Sequence, residues 1–263
     1  MDVTFTLNGK EITVEYEEGM SLLDVLREVC LIKSCKDGCS GQGFCGACTV
    51  LIDGKAMMSC RRDPASVDGK EVITIEGLSD TEKNILSKSF VKEGAIQCGY
   101  CTPGLMLRIK SFLDKNPKST REEKAKAITG NLCRCTGYQR ILDAMETAEE
   151  HWQKKEKIIL GPPRRAEFFG EKYGMKREYV PKEKGVGAST HRYRGIDMAL
   201  GKKPFIADME VEGMLHGALL LSEHPRAKII HIDTSKAESA KGIEKIFTAK
   251  DVPGKRFIGH IFS

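Results

Sequence analysis

Apolar and polar positions alternate in "VTFTLNGKEITVEY", with Val3, Phe5 and Leu7, then Ile12, Val14 and Tyr16, on either side of Asn8-Gly9. This alternation about Asn-Gly predicts a β-hairpin, because both residues accept the positive φ angles of a two-residue turn. The period changes in "SLLDVLREV", where Leu22, Leu23, Leu26 and Val29 fit one helical face and Ser21 with Asp24 fits a capping box. Short strands are predicted next: "TVLID" before an Asp53-Gly54 turn, a partner running toward Cys60, and "EVITI". Hairpin, helix and further short strands together predict an α+β domain of β-grasp type over residues 1–78.

From residue 79 the apolar spacing is helical. Helices are predicted at 80–92, 103–115, 120–128 and 137–152, joined by short polar loops, which makes residues 79–152 a four-helix domain. The stretch "LGPPRRAEFFGEKYG" breaks this pattern, so residues 153–184 read as a linker. Strands are expected again in "GMLHGALLL", "AKIIHIDTS" and "GIEKIFTA", with a short helix at 235–241. Residues 185–263 therefore read as an incomplete α/β segment.

Composition narrows the class. The 263 residues are 40% apolar and 30% charged, as expected of a folded water-soluble chain. No apolar run is long enough to span a bilayer. "MDVTFTLNGK" has no apolar signal core, so the chain is expected to stay in the reducing cytoplasm. There its ten cysteines are expected as ligands rather than disulfides. Residues 1–150 carry 20 Lys and Arg against 23 Asp and Glu, and the remainder 22 against 14. The basic residues of the second part are dispersed over a Pro/Gly-punctuated segment without aromatic interleaving, which favours a solvated linker over nucleic-acid or membrane binding.

Eight of the cysteines fall into two sets. Cys39, Cys45, Cys48 and Cys60 follow a pattern one residue longer in its first gap than the C-x4-C-x2-C of plant-type [2Fe–2S] ferredoxins. Gly41, Gly43 and Gly46 allow backbone N–H groups to turn inward toward sulfur, a need a structural zinc does not share. Cys35 is the alternative first member, but Cys39 lies nearer the glycines. Cys30 fits no ligand spacing and reads as a small buried residue. The second set is Cys98-Gly-Tyr-Cys101 with Cys133-Arg-Cys135, each pair just before a predicted helix start. Thr102 with Pro103, and Thr136 with Gln139, look like capping signals. Helix N-termini favour an anionic centre without choosing its metal. The single-residue gap suggests that Cys133 and Cys135 share one iron while Cys98 and Cys101 hold the other. The six histidines form no ligand pair, and no P-loop, dinucleotide fingerprint or Ser–His–Asp set is present.

"QCGYCTPG" and "GNLCRCTGY", downstream of "GFCGACTVLIDG", resemble the iron–sulfur portion of the molybdenum hydroxylases, the xanthine dehydrogenases and aldehyde oxidoreductases. The resemblance covers residues 1–152 and implies two [2Fe–2S] clusters. Cys39, Cys45, Cys48 and Cys60 would ligate one, in a ferredoxin-like domain. Cys98, Cys101, Cys133 and Cys135 would ligate the other, in the helical domain beside a molybdopterin. Gln97 would hydrogen-bond that pterin, with Cys135 close by. Residues from 185 onward resemble the opening hammerhead domain of the molybdopterin-binding subunit. Direct joining of the two parts resembles the fused, selenium-dependent xanthine dehydrogenase type. The family's molybdenum-binding regions and catalytic glutamate have no counterpart here, so no catalytic residue is assigned to this chain. A molybdopterin-binding partner, or the remainder of a fused chain, is implied, with a flavin subunit or soluble acceptor receiving electrons. The alternatives are a zinc-stapled interaction protein without redox function and a truncated product without a catalytic partner.

Overall fold

The computed structural model describes residues 1–161, 185, 188 and 190–254. It divides into two units, Met1–Asp208 and Met209–Ser263. The linker expected at 153–184 lies mostly outside the described residues.

In the first unit β1 (Asp2–Leu7) and β2 (Lys10–Glu15) form the expected hairpin, with Phe5 opposite Ile12. Asn8 and Gly9 have φ angles of 53° and 82°, the left-handed pair this tight turn requires. β3 (Thr49–Ile52) and β4 (Lys55–Met58) form a second hairpin about Asp53-Gly54. β5 (Glu71–Ile73) runs parallel to β1 and antiparallel to β3, giving the order β2-β1-β5-β3-β4. The helix lying across this sheet, α1 (Leu22–Asp24), has the Ser21–Asp24 capping box and continues through wider turns over Val25–Val29. There Cys30 N–H reaches the Val25 carbonyl, five residues back, at 2.9 Å. The widened turns rotate the buried face: Leu22, Leu23, Val25 and Leu26 are buried, whereas Val29 is 42% exposed, contrary to its expected place.

Four helices form the adjoining layer: α2 (Asp80–Lys92), α3 (Thr102–Leu113), α4 (Arg121–Ala127) and α5 (Gln139–Trp152). Ser79–Glu82 and Thr120–Glu123 capping boxes start α2 and α4. Phe90, Leu105, Ile109, Leu113, Ile141, Met145 and Trp152 make their common core. The expected caps of α3 and α5 are not used. Cys101 precedes α3 without a side-chain cap, and Tyr138, at φ 68°, precedes α5. Thr136 does not form the expected box with Gln139: its hydroxyl lies against the Cys133 sulfur and accepts the N–H of Tyr138, the residue before α5. α3 lies against the sheet, where Ser111 donates to Gly54 O at 3.0 Å and Arg108 to Ala56 O at 3.3 Å.

Residues 190–208, expected to belong to the α/β segment, pack on this first unit. Their helix α6 (Gly195–Ala199) adds Met198 and Ala199 to the helical core. In the second unit the expected strands are not formed. Among its described residues only α7 (Ser235–Glu238) is regular, and Leu219, Leu220, Leu221, Ile229 and Ile230 are exposed. An apolar strand needs neighbours to complete its hydrogen-bond ladder and cover its face, and the described residues of this segment supply none. His216 and His231, expected in those strands, are exposed. Among the described residues no helix is long and apolar enough to cross a membrane.

Candidate metal centres

The first cysteine set is brought together by the loop over residues 34–48 and the turn that follows β4. Cys39 lies beside Cys45, and Cys60 beside Cys48, near enough for each thiol to perturb its neighbour's ionisation. Gly41, Gly43 and Gly46 all have positive φ, so the loop curls with its amides inward. The N–H groups of Gly43, Phe44 and Cys45 address the Cys39 sulfur, and Ala47 N–H meets Cys45 Sγ at 3.5 Å. Burial opposes ionisation of Cys39, but those amides and the Cys45 thiol outweigh it and bring Cys39 to about 7. Cys60 is pushed up to about 12, by burial first and by the Cys48 thiol next. Cys35 is buried behind the loop with its pKa raised, chiefly by burial, and it packs with Cys48 and Cys60 in the sheet core. Cys30 is half-buried rather than buried.

In metal-free protein at pH 7.5, Cys39 should therefore alkylate roughly tenfold or more faster than Cys35 and Cys60. Peptide mass spectrometry after timed iodoacetamide treatment measures this. Equal labelling of the three would refute the inward-amide geometry.

The second set joins the turns before α3 and α5. Cys98 and Cys135 have their sulfurs 3.5 Å apart, and the Cys101 thiol lies near enough to Cys133 to perturb its ionisation. The near pairs thus run between the two motifs, in place of the within-motif sharing expected from the one-residue gap. Cys133 is lowered to about 5 by the Cys101 thiol first, against burial, with the Thr136 hydroxyl and the amides of Thr136 and Cys135 assisting. Thr136 Oγ1 lies 3.1 Å from Cys133 Sγ. Cys101 is raised by the Cys133 thiol first and by burial next. Cys133 N–H donates to Tyr138 Oη at 2.8 Å, which fixes the turn. Cys98, Cys135 and Gln97 are exposed, and Gln97 Nε2 donates to Cys135 O at 2.9 Å.

The two ligand loops touch. Leu132 N–H donates to Cys45 O and Asn131 Nδ2 to Gly46 O, each at 2.8 Å. Tyr100, between Cys98 and Cys101, donates its hydroxyl to Asp37 O at 2.7 Å. Asn131, Leu132 and Tyr100 lie inside the two family motifs, but nothing local gave them a role of their own, because their partners lie 63 to 87 positions away along the chain. Among the described residues no three His, Cys, Asp or Glu side chains converge as one metal ion requires. The thiols instead gather two by two, which suits the two irons of a [2Fe–2S] cluster, each needing two thiolates.

Comparison with known proteins finds an iron–sulfur domain over each of these two stretches. Residues 5–76 match the 2Fe-2S iron-sulfur cluster binding domain, and residues 74–146 the [2Fe-2S] binding domain. Residues 200–262 match the a/b hammerhead domain of aldehyde oxidase and xanthine dehydrogenase. The nicotinate dehydrogenase small FeS subunit of Eubacterium barkeri is 44% identical over 149 residues, which cover 56% of this chain and 94% of that subunit. The aldehyde oxidoreductase of Megalodesulfovibrio gigas is 35% identical over 261 residues, 96% of this chain but only 27% of that enzyme. The crystal structure of the aldehyde oxidoreductase from Desulfovibrio desulfuricans superposes with a TM-score of 0.81 at 31% identity, over 100% of this chain and 28% of that one.

Proposed function

This chain belongs to the xanthine dehydrogenase and aldehyde oxidoreductase family of molybdenum hydroxylases, and we propose that it serves as the family's iron–sulfur electron-transfer component. The observation that carries this reading is the gathering of eight cysteines into two sets of paired thiols, one in each matched iron–sulfur domain. Cys39, Cys45, Cys48 and Cys60 would hold one [2Fe–2S] cluster, and Cys98, Cys101, Cys133 and Cys135 the other. When bound, each cluster supplies a site for one electron at a time.

The protein's own part is placement and electrostatics. Inward amides and the Thr136 hydroxyl compensate thiolate charge at both sets. The hydrogen bond from Leu132 N–H to Cys45 O links the chain next to Cys133 directly to Cys45, giving a bonded connection between the sets. Gln97 and Cys135 stand side by side on the exposed surface, suited to meet a molybdopterin held by a partner subunit or by further sequence of a fused enzyme. At the other set, Phe44 beside Cys45 is 73% exposed and suits contact with a flavin subunit or soluble acceptor. Limits of 1–78 and 79–152 for the two iron–sulfur domains, and a hammerhead segment from 185, belong to the same proposal. Ten free thiols suit a reducing compartment such as the cytoplasm.

Anaerobically purified protein should contain about four irons per chain and be brown, bleaching on reduction. Colourless protein with stoichiometric zinc would overturn the proposal in favour of a zinc-stapled protein.

A further inference from the structure

Residues 192–208 cross the first unit as a strap over both ligand loops. Arg192 Nε donates to Gln97 O at 3.2 Å, and the Met198 side chain lies against Gly99, where an added Cβ would come within 2.9 Å of it. Phe205 then meets the Tyr100 ring edge-on with centroids 4.9 Å apart. The strap ends at Asp208, whose side chain is only 2% exposed. Its carboxylate contacts Lys36 Nζ, lies 3.1 Å from Arg27 Nη2 and accepts Phe205 N–H at 2.9 Å. Lys36, with a side chain 1% exposed, also sits 5.2 Å from the centre of the Phe205 ring.

These charges adjoin the first cysteine set. Lys36 N–H donates to the carbonyl of Ala47, between Cys45 and Cys48, at 3.4 Å. Arg27 Nη1 donates at 2.6 Å to the carbonyl of Cys35, which packs with Cys48 and Cys60. Two buried cations thus face one buried carboxylate. Glu28, 3.8 Å from Arg27 Nε, is 61% exposed and largely screened by water. Glu76 is engaged by the Ser34 hydroxyl at 2.8 Å.

We propose that Asp208 sets the reduction potential of the first cluster by offsetting the buried cations Lys36 and Arg27. This rests on the iron–sulfur reading above. Reduction adds negative charge to an already anionic centre, so nearby cations raise its potential and a carboxylate among them lowers it. Asp208 is a positioning residue here and touches no ligand sulfur.

The test is an EPR-monitored redox titration of the cluster-loaded full chain, with the first cluster identified as the signal lost in Cys48→Ala. Asp208→Asn should move that midpoint upward and Lys36→Gln downward. Lys36→Met/Asp208→Leu removes one charge of each sign and should return it near the wild-type value. The second cluster is the reference and should move less in every variant. Should a single substitution prevent accumulation, Arg27→Gln leaves the Lys36–Asp208 pair intact and must lower the first midpoint. Unchanged midpoints in the loaded variants, or equal movement of both clusters, overturn the inference. Wild-type protein without iron fails the functional reading instead, so the two failures are distinguishable.

Discussion

Alanine at Cys48 or at Cys133 should remove one cluster and spare the other, halving the iron from about four to about two atoms per chain. On the proposed assignment each cluster would have four thiolate ligands in two pairs, so an iron left with one protein thiolate should be lost to a chelator. The two sets are drawn from different segments, so the losses should be independent and additive across the pair of variants. Spectra of the two variants should sum to that of the parent. Cys39→Ala should behave like Cys48→Ala, whereas Cys35→Ala and Cys30→Ala keep all the iron. Cys35 lies 3% exposed in the sheet core, so its replacement costs packing rather than a ligand. Iron retained by Cys39→Ala and lost by Cys35→Ala would reverse the choice between the two.

The second large effect is expected at the junction of the ligand loops. Gly46 has a φ of +65°, and a Cβ there would stand 2.2 Å from the Gly130 carbonyl and 2.8 Å from Asn131 Nδ2. Neither backbone can yield without losing the bonds from Leu132 to Cys45 and from Asn131 to Gly46. Gly46→Ala should therefore cost about 3 kcal/mol, from left-handed strain plus overpacking. For a unit of this size that lowers Tm by roughly 6–12 °C. Gly41→Ala is the control: its φ is +73°, but nothing lies within 4 Å of the added carbon. It should cost about 1 kcal/mol, the conformational part alone. Equal Tm losses for the two variants would show that the loops do not press together at Gly46.

Local signals were legible because their causes are local. Asn8-Gly9 and Asp53-Gly54 adopt the positive φ angles of their turns, and Ser21–Asp24 forms its capping box, since each motif is satisfied within four residues. The four helices lie close to their expected limits for the same reason: Ile85, Phe90, Leu105, Ile109, Ile141 and Met145 recur at helical spacing and all face one core. Expectations failed where a distant partner intervened. Val29 left the apolar face when the turns after Asp24 widened. Thr136 shares its hydroxyl between the Cys133 sulfur and the Tyr138 N–H just before α5, instead of forming the expected box with Gln139. The strands expected after residue 209 found no neighbour to pair with among the described residues.

For the candidate site the division is the same. The sequence by itself proposed which cysteines group together, because glycine spacing and the CGYC and CRC motifs are properties of adjacent residues. It also determined the family, and with it the two expected clusters. Tertiary structure decided which thiol stands beside which, pairing Cys98 with Cys135 and Cys101 with Cys133 across 37 and 32 positions or thereabouts. Only the fold could bring Leu132 to Cys45, or carry Asp208 back to Lys36 from 172 positions away. Periodicity and turn chemistry act over a few residues, whereas hydrogen bonds and buried charge act through space. The fold alone sets those distances.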